Sequence, residues 1–203
     1  MNVEFIVTSL IVIASPGTGV LYTLATALSR GSRASVVAAF GCTLGIVPHI
    51  AAAMLGLAAV LHTSALAFQT LKWFGVAYLL YMAWQALRER GALQVDESVR
   101  PGSVRETIVT GFLINILNPK LSIFFLAFLP QFIAAGETHP LLRMLELGVV
   151  FMALTYAVFV VYGLAAARVR SRVIGQPSVM TWLRRAFAGG FVLLGAKLAF
   201  AER

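Results

Sequence analysis

Asn115, Asn118, Pro119 and Lys120 lie within six positions of one another, inside the apolar stretch from Gly111 to Ile133. Two carboxamides three residues apart share one helical face and offer both donors and acceptors. The lysine adds an ammonium with donors only. The stretch is long and apolar enough to cross a bilayer, where such groups are costly unless each finds a partner or water. Pro119 removes a backbone donor and clashes with the preceding turn, so the helix is expected to break near Asn118. Broken backbone at membrane depth is tolerated only against protein or a wet cavity. The break is therefore expected to help form a substrate site.

A second interruption is expected at Ser15-Pro16-Gly17-Thr18-Gly19, in the middle of the first apolar stretch. Serine is a good N-cap, proline fits the first position of a new helix, and the two glycines permit close backbone approach. Half-helices starting near Pro16 and Pro119 would present N–H ends that attract anions, and the preceding halves would end in free carbonyls that suit an ammonium. Together they have the polarity to hold a zwitterion. The candidate substrate-binding set is Ser15, Pro16, Gly17, Thr18, Asn115, Asn118, Pro119 and Lys120, with Lys120 expected to pair with a carboxylate of the substrate or of the protein. His49 and Glu146 are the candidates for proton coupling. The alternative for His49 is a neutral ring bonded to a neighbouring helix, and for Glu146 simple solvation near the interface.

The elements that position these residues are set by composition. The 203 residues are 60% hydrophobic and 12% charged, with a mean hydropathy of +0.88, against about 25% charged in soluble domains. This is an all-α integral membrane protein. Cys42 is the single cysteine, which excludes a disulfide framework and a C-x-x-C redox pair. Six apolar spans are expected at roughly 4–28, 35–61, 66–87, 106–133, 143–167 and 184–201. Ala25-Thr26-Ala27 resembles a signal-peptide cleavage site, but Met1 to Phe5 holds no basic residue, so the first span is expected to be retained. Loops 29–34, 88–105 and 168–183, with their edges, carry eleven arginines, against Arg143 and Arg203 on the other side. The positive-inside rule then puts these loops in the cytoplasm and both termini outside. The net charge of +8 is read as topological, with no nucleic-acid partner.

Sliding the chain by 103 residues lays Ser15-Pro16 over Asn118-Pro119, Leu10 over Leu113, Ile11 over Ile114 and Ile13 over Ile116. A looser match sets Gly75 to Arg88 against Gly190 to Arg203. These point to two three-span halves, 1–98 and 99–203. An odd number of spans per half makes them an inverted repeat with broken first helices, the plan of many secondary transporters. The alternative is two unrelated proline kinks. In span two, Gly41 and Gly45 form a small-xxx-small pattern for close helix packing, with His49, Ala52, Ala53 and Gly56 on the same face as Gly45. Glycine faces of this kind also raise a homodimer as an expectation.

The run from Gly111 to Lys120, followed by Phe128-Leu129-Pro130-Gln131-Phe132, resembles the lysine exporter superfamily, and within it the homoserine/threonine-resistance branch. Gly41 to His49 and Leu71 to Leu79 are similar to the family as well, and the likeness covers essentially the whole chain. The resemblance implies export of amino acids or their derivatives from the cytoplasm, driven by proton antiport, in the inner membrane of a bacterium. The family's first span carries P-G-P where this chain has Pro16-Gly17-Thr18, so the break is expected to be softer and to carry an added hydroxyl. That departure bears on substrate identity more than on fold or direction.

Other functions fit less well. Export of a metal cation, found elsewhere in the superfamily, would want clustered carboxylates, thiols or histidines. A membrane enzyme would need a cysteine pair or an H-E-x-x-H motif, and neither occurs. A scaffold would not need Asn, Pro and Lys at mid-membrane. No enzymatic activity, cofactor or resident metal is expected.

Overall fold

The computed structural model describes residues 3–15, 17–60, 103–134 and 136–173, together with isolated helical positions at 73, 76, 77, 80, 81, 84, 185, 189, 192, 193 and 196. Pro16 and most of the expected spans 66–87 and 184–201 lie outside the described residues, as does nearly all of the 88–105 loop. The described elements are all helical: α1 Val3–Ala14, α2 Thr18–Arg30, α3 Ser32–Leu44, α4 Val47–Val60, α5 Val104–Ile116, α6 Pro119–Ile123 and α7 Pro140–Val173. Beyond α6 the chain continues as a π-helical turn, Phe124–Phe128, and a 3-10 turn, Leu129–Phe132.

Two described stretches, Ser32–Gly56 and Pro140–Arg168, are long and apolar enough to cross a membrane, and the count rises to four if each bent pair is one span. The bent pairs are the two expected ones. The axes of Val3–Ala14 and Thr18–Arg30 differ by 56°, and those of Val104–Ile116 and Lys120–Phe132 by 54°. The chain is thus a membrane protein that is all-helical among the described residues and has both expected interruptions.

Pro119 stands at the start of α6, and Asn118 caps it by accepting from the Lys120 backbone N–H at 3.1 Å. This is the helix start that the Asn-Pro pair calls for. At the first break the expected cap does not form. The N-cap of α2 is Gly17, which makes no side-chain cap bond. Ser15 turns its hydroxyl back to the Val12 carbonyl at 2.8 Å, closing α1 instead of opening α2.

Three other boundaries differ from the sequence reading. The 29–34 loop shrinks to Gly31 alone, whose φ of +83° suits a residue without a Cβ. Span two is interrupted at Gly45–Ile46: Pro48 has no N–H to give, and tight bonds from Ile46 N to Thr43 O and from His49 N to Ile46 O carry the chain through. At the far end of span four, Pro130 shifts the helix into its π and 3-10 turns. There the Gln131 side chain donates to the Ala127 carbonyl at 2.7 Å.

α3 and α5 form the most extensive helix contact among the described elements. A Cβ on Gly41 would lie 2.5 Å from the Ile108 carbonyl oxygen, one on Gly45 would lie 2.7 Å from Asn115 Cβ, and one on Gly111 would lie 2.9 Å from the Cys42 nitrogen. Backbone meets backbone here, which only glycine allows. The Gly41–Gly45 face is therefore occupied within the chain. Its continuation is narrower than the spacing implied, since Ala53 is buried and Ala52 exposed. Below the second break, Phe124 stacks on Phe151 at 4.6 Å and Phe125 meets the same ring edge-on at 5.1 Å, locking this segment to α7.

Candidate functional site

The two breaks face each other. Lys120 leaves the first turn of α6 and reaches the end of α1, where its Nζ donates to Val12 O at 3.0 Å, Ser15 O at 3.0 Å and Ser15 Oγ at 3.2 Å. An ammonium has three donors, and these bonds use all of them. Lys120 is buried, and among the described residues no carboxylate lies within salt-bridge distance of it. In place of a carboxylate of the protein, Lys120 meets the carbonyl end of a half-helix, which carries about half a negative charge. Tyr162 of α7 donates to a further carbonyl of that end, Ala14 O, at 3.1 Å.

The glycines of the first break are bare because the second break lies over them. A Cβ on Gly17 would sit 2.9 Å from Lys120 Nζ, and one on Gly19 would sit 2.6 Å from Asn115 Oδ1. Thr18, which follows Gly17, is exposed, so its hydroxyl is not gathered with the others.

Both asparagines are buried, and each bonds through its side-chain oxygen and its side-chain nitrogen. Asn115 Nδ2 donates to the Cys42 carbonyl at 2.7 Å, and its Oδ1 accepts from Asn118 Nδ2 at 3.3 Å. The Asn115 backbone carbonyl lies 2.8 Å from His49 Nε2. A carbonyl can only accept, so Nε2 carries the hydrogen. His49 Nδ1 lies 3.2 Å from Ser122 Oγ and, in the neutral ring, accepts from that hydroxyl. His49 is therefore tied to span four by both ring nitrogens.

Ser15, Gly17, Asn115, Asn118, Lys120 and His49 are thus brought into one buried polar cluster. Glu146 is not: it is exposed and pairs with Arg143 at 2.8 Å, one turn into α7. Sequence reasoning overlooked Ser122, Tyr162 and the Cys42 carbonyl. The spacing of Ser122 two residues beyond Lys120 carries no motif, and Tyr162 meets Ala14 across 148 residues.

A cavity of about 10 Å³ adjoins the cluster, lined by Gly19, Asn115, Asn118 and Lys120 on its polar side and by Phe151 and Thr155 of α7. That is room for one water at most. Among the described residues no three His, Cys, Asp or Glu side chains group closely enough to hold a metal ion.

A bilayer-embedded helical chain with facing helix breaks and a buried polar cluster between them has the build of a transport protein. Residues 10–202 match the family model described as "LysE type translocator", and the chain belongs to that family. It is 33% identical over 198 residues to the homoserine/homoserine lactone efflux protein of Salmonella typhimurium, covering 98% of this chain and 95% of that one. It is 32% identical over 199 residues to an uncharacterized membrane protein of Vibrio cholerae, covering 98% and 96%. A leucine efflux protein from an Enterobacter species is 25% identical over 165 residues, 76% of each chain. No solved structure matches.

Proposed function

We propose that this protein is a secondary exporter carrying a small amino acid, or a derivative that keeps the α-ammonium, out of the cytoplasm by proton antiport. The observation that carries this reading is the meeting of the α1 carbonyl end with the N–H end of α6 across Lys120. Such paired ends have opposite polarity, as a zwitterion has. The names of the relatives agree in chemistry. Homoserine and leucine are α-amino acids, and homoserine lactone keeps the ammonium while its carboxylate is closed into the ring. The ammonium is the group common to all of them.

On this reading the substrate lies between the breaks, held by Ser15, Gly17, Asn115, Asn118 and Lys120, with Pro16 and Pro119 setting the backbone and Thr18 at the rim. His49 takes the coupling proton at Nδ1, with the Ser122 hydroxyl turning from donor to acceptor. Glu146 serves the surface. Six spans in two inverted halves, 1–98 and 99–203, lie in a bacterial inner membrane with both termini outside. The near-equal bends of 56° and 54° and the one-sided arginines support that arrangement.

Proteoliposomes test the activity. Preloaded L-homoserine or L-leucine should exchange with external label, and an imposed pH gradient should drive net movement. Absence of exchange for every α-amino compound tried, in protein that is folded and inserted, would sink the reading. Tags at both termini should label from outside intact spheroplasts, and a protected terminus would overturn the orientation.

A further inference from the structure

We infer that Lys120 is a tethered stand-in for the substrate's ammonium: the Val12 carbonyl, the Ser15 carbonyl and the Ser15 hydroxyl form the ammonium subsite, and Lys120 and the substrate occupy it in turn. The inference rests on the exporter reading and adds to it which atoms take the ammonium and what holds them in the empty carrier. Three observations lead to it.

First, every donor of the Lys120 ammonium is spent on the end of α1. No hydrogen is left for a substrate oxygen while the lysine stays where it is. Second, the acceptors are those that a primary ammonium requires: two carbonyls and a hydroxyl, at the half-negative end of a helix. The Ser15 hydroxyl can accept because its own hydrogen goes to Val12 O. Third, the adjoining cavity of about 10 Å³ cannot hold an amino acid, and Lys120 forms part of its wall. Withdrawal of the lysine side chain enlarges the cavity and uncovers the acceptors together.

The end of α1 keeps support when the lysine leaves, since Tyr162 holds Ala14 O independently. The displaced Lys120 ammonium then faces the substrate's carboxylate, or the carbonyl oxygen of a lactone. Return of the lysine expels the substrate's ammonium and caps the empty carrier. Lys120 is thus required for turnover and opposes binding.

That pairing of effects separates this role from a merely structural one. Binding of radiolabelled L-homoserine and L-leucine to purified protein would be measured by equilibrium dialysis, for wild type and Lys120→Ala. Removing a competitor that occupies the subsite most of the time should tighten binding of the transported amino acid by about ten- to a hundredfold. In the variant, n-propylammonium, which replaces the deleted side-chain atoms, should displace the amino acid competitively and should have no effect on wild type. If instead Lys120→Ala weakens binding and n-propylammonium restores it, the lysine's net effect is to hold the substrate or the fold and not to compete with it, and the inference is overturned. Should the variant aggregate, purification in n-propylammonium is expected to yield dispersed protein from which the amino acid displaces the amine; failure of that rescue also overturns it. Wild-type efflux is measured in parallel. If wild type exports neither amino acid, the exporter reading fails; if it exports one that shows no tighter binding to the variant, only the stand-in role fails.

Discussion

Lys120 Nζ lies 3.0 Å from the carbonyl oxygen of Ser15, so a residue of the fourth apolar stretch closes the end of the first half-helix, 105 residues away. The two breaks are one structural unit. Lys120→Ala should therefore act on both, leaving the Ser15 carbonyl without its partner and the Val12 carbonyl with the Ser15 hydroxyl alone, at a cost of about 1–3 kcal/mol. Export should be lost while the protein still inserts, read by efflux at matched membrane abundance and by Tm in detergent. Normal export by this variant would remove Lys120 from the site.

Asn118 makes two separable contributions. Its Oδ1 caps α6 and its Nδ2 reaches Asn115. Asn118→Ala should lower stability by about 1 kcal/mol through the lost cap. Asn118→Ser keeps a capping oxygen and should recover most of that stability, without restoring export to the wild-type rate. Thermal melts beside efflux rates would show whether cap and contact separate in this way.

Gly41 tests the helix crossing that places the cluster. A Cβ there meets the Ile108 carbonyl and Cα, which are backbone and cannot swing aside. Gly41→Ala should force α3 and α5 apart, costing about 1–3 kcal/mol, and should disturb Asn115, which bonds the adjacent Cys42 carbonyl. Gly56→Ala is the control, since its nearest neighbour is a Leu126 side-chain atom at 3.4 Å. Equal Tm values for the two variants would contradict the packing account.

His49 is predicted to carry the proton, not the substrate. His49→Gln keeps a donor toward Asn115 O but has no ring nitrogen to be protonated. Exchange of labelled amino acid should persist in proteoliposomes, and acceleration by a pH gradient should vanish. Glu146→Gln should leave both within about twofold, because an exposed i,i+3 pair such as Arg143–Glu146 contributes little. Gradient-driven transport by His49→Gln would assign coupling elsewhere.

The second break was readable from the sequence because its causes are local. Pro119 fixes where α6 starts, and Asn118 is the residue type that caps such a start. The first break was readable as an interruption, but Ser15 was assigned to the wrong helix. Serine beside proline reads as an N-cap, whereas the hydroxyl is held in α1 by Val12 and by a lysine distant in sequence. The glycines show the same division. That Gly41 and Gly45 pack a helix follows from their spacing, but that the helix is α5 of the same chain depends on tertiary contact. Tyr162 and Ser122 carry no local signal and become meaningful only through Ala14 and His49.

Efflux from cells tests the central claim most directly. Bacteria expressing the protein would be fed dipeptides to load a panel of amino acids, and the medium assayed over time against Asn118→Ala at matched membrane abundance. The account predicts faster appearance of one or a few α-amino compounds, lost in the variant. Export that is unchanged in Asn118→Ala, or wild-type efflux equal to that of empty cells across the panel, would contradict it.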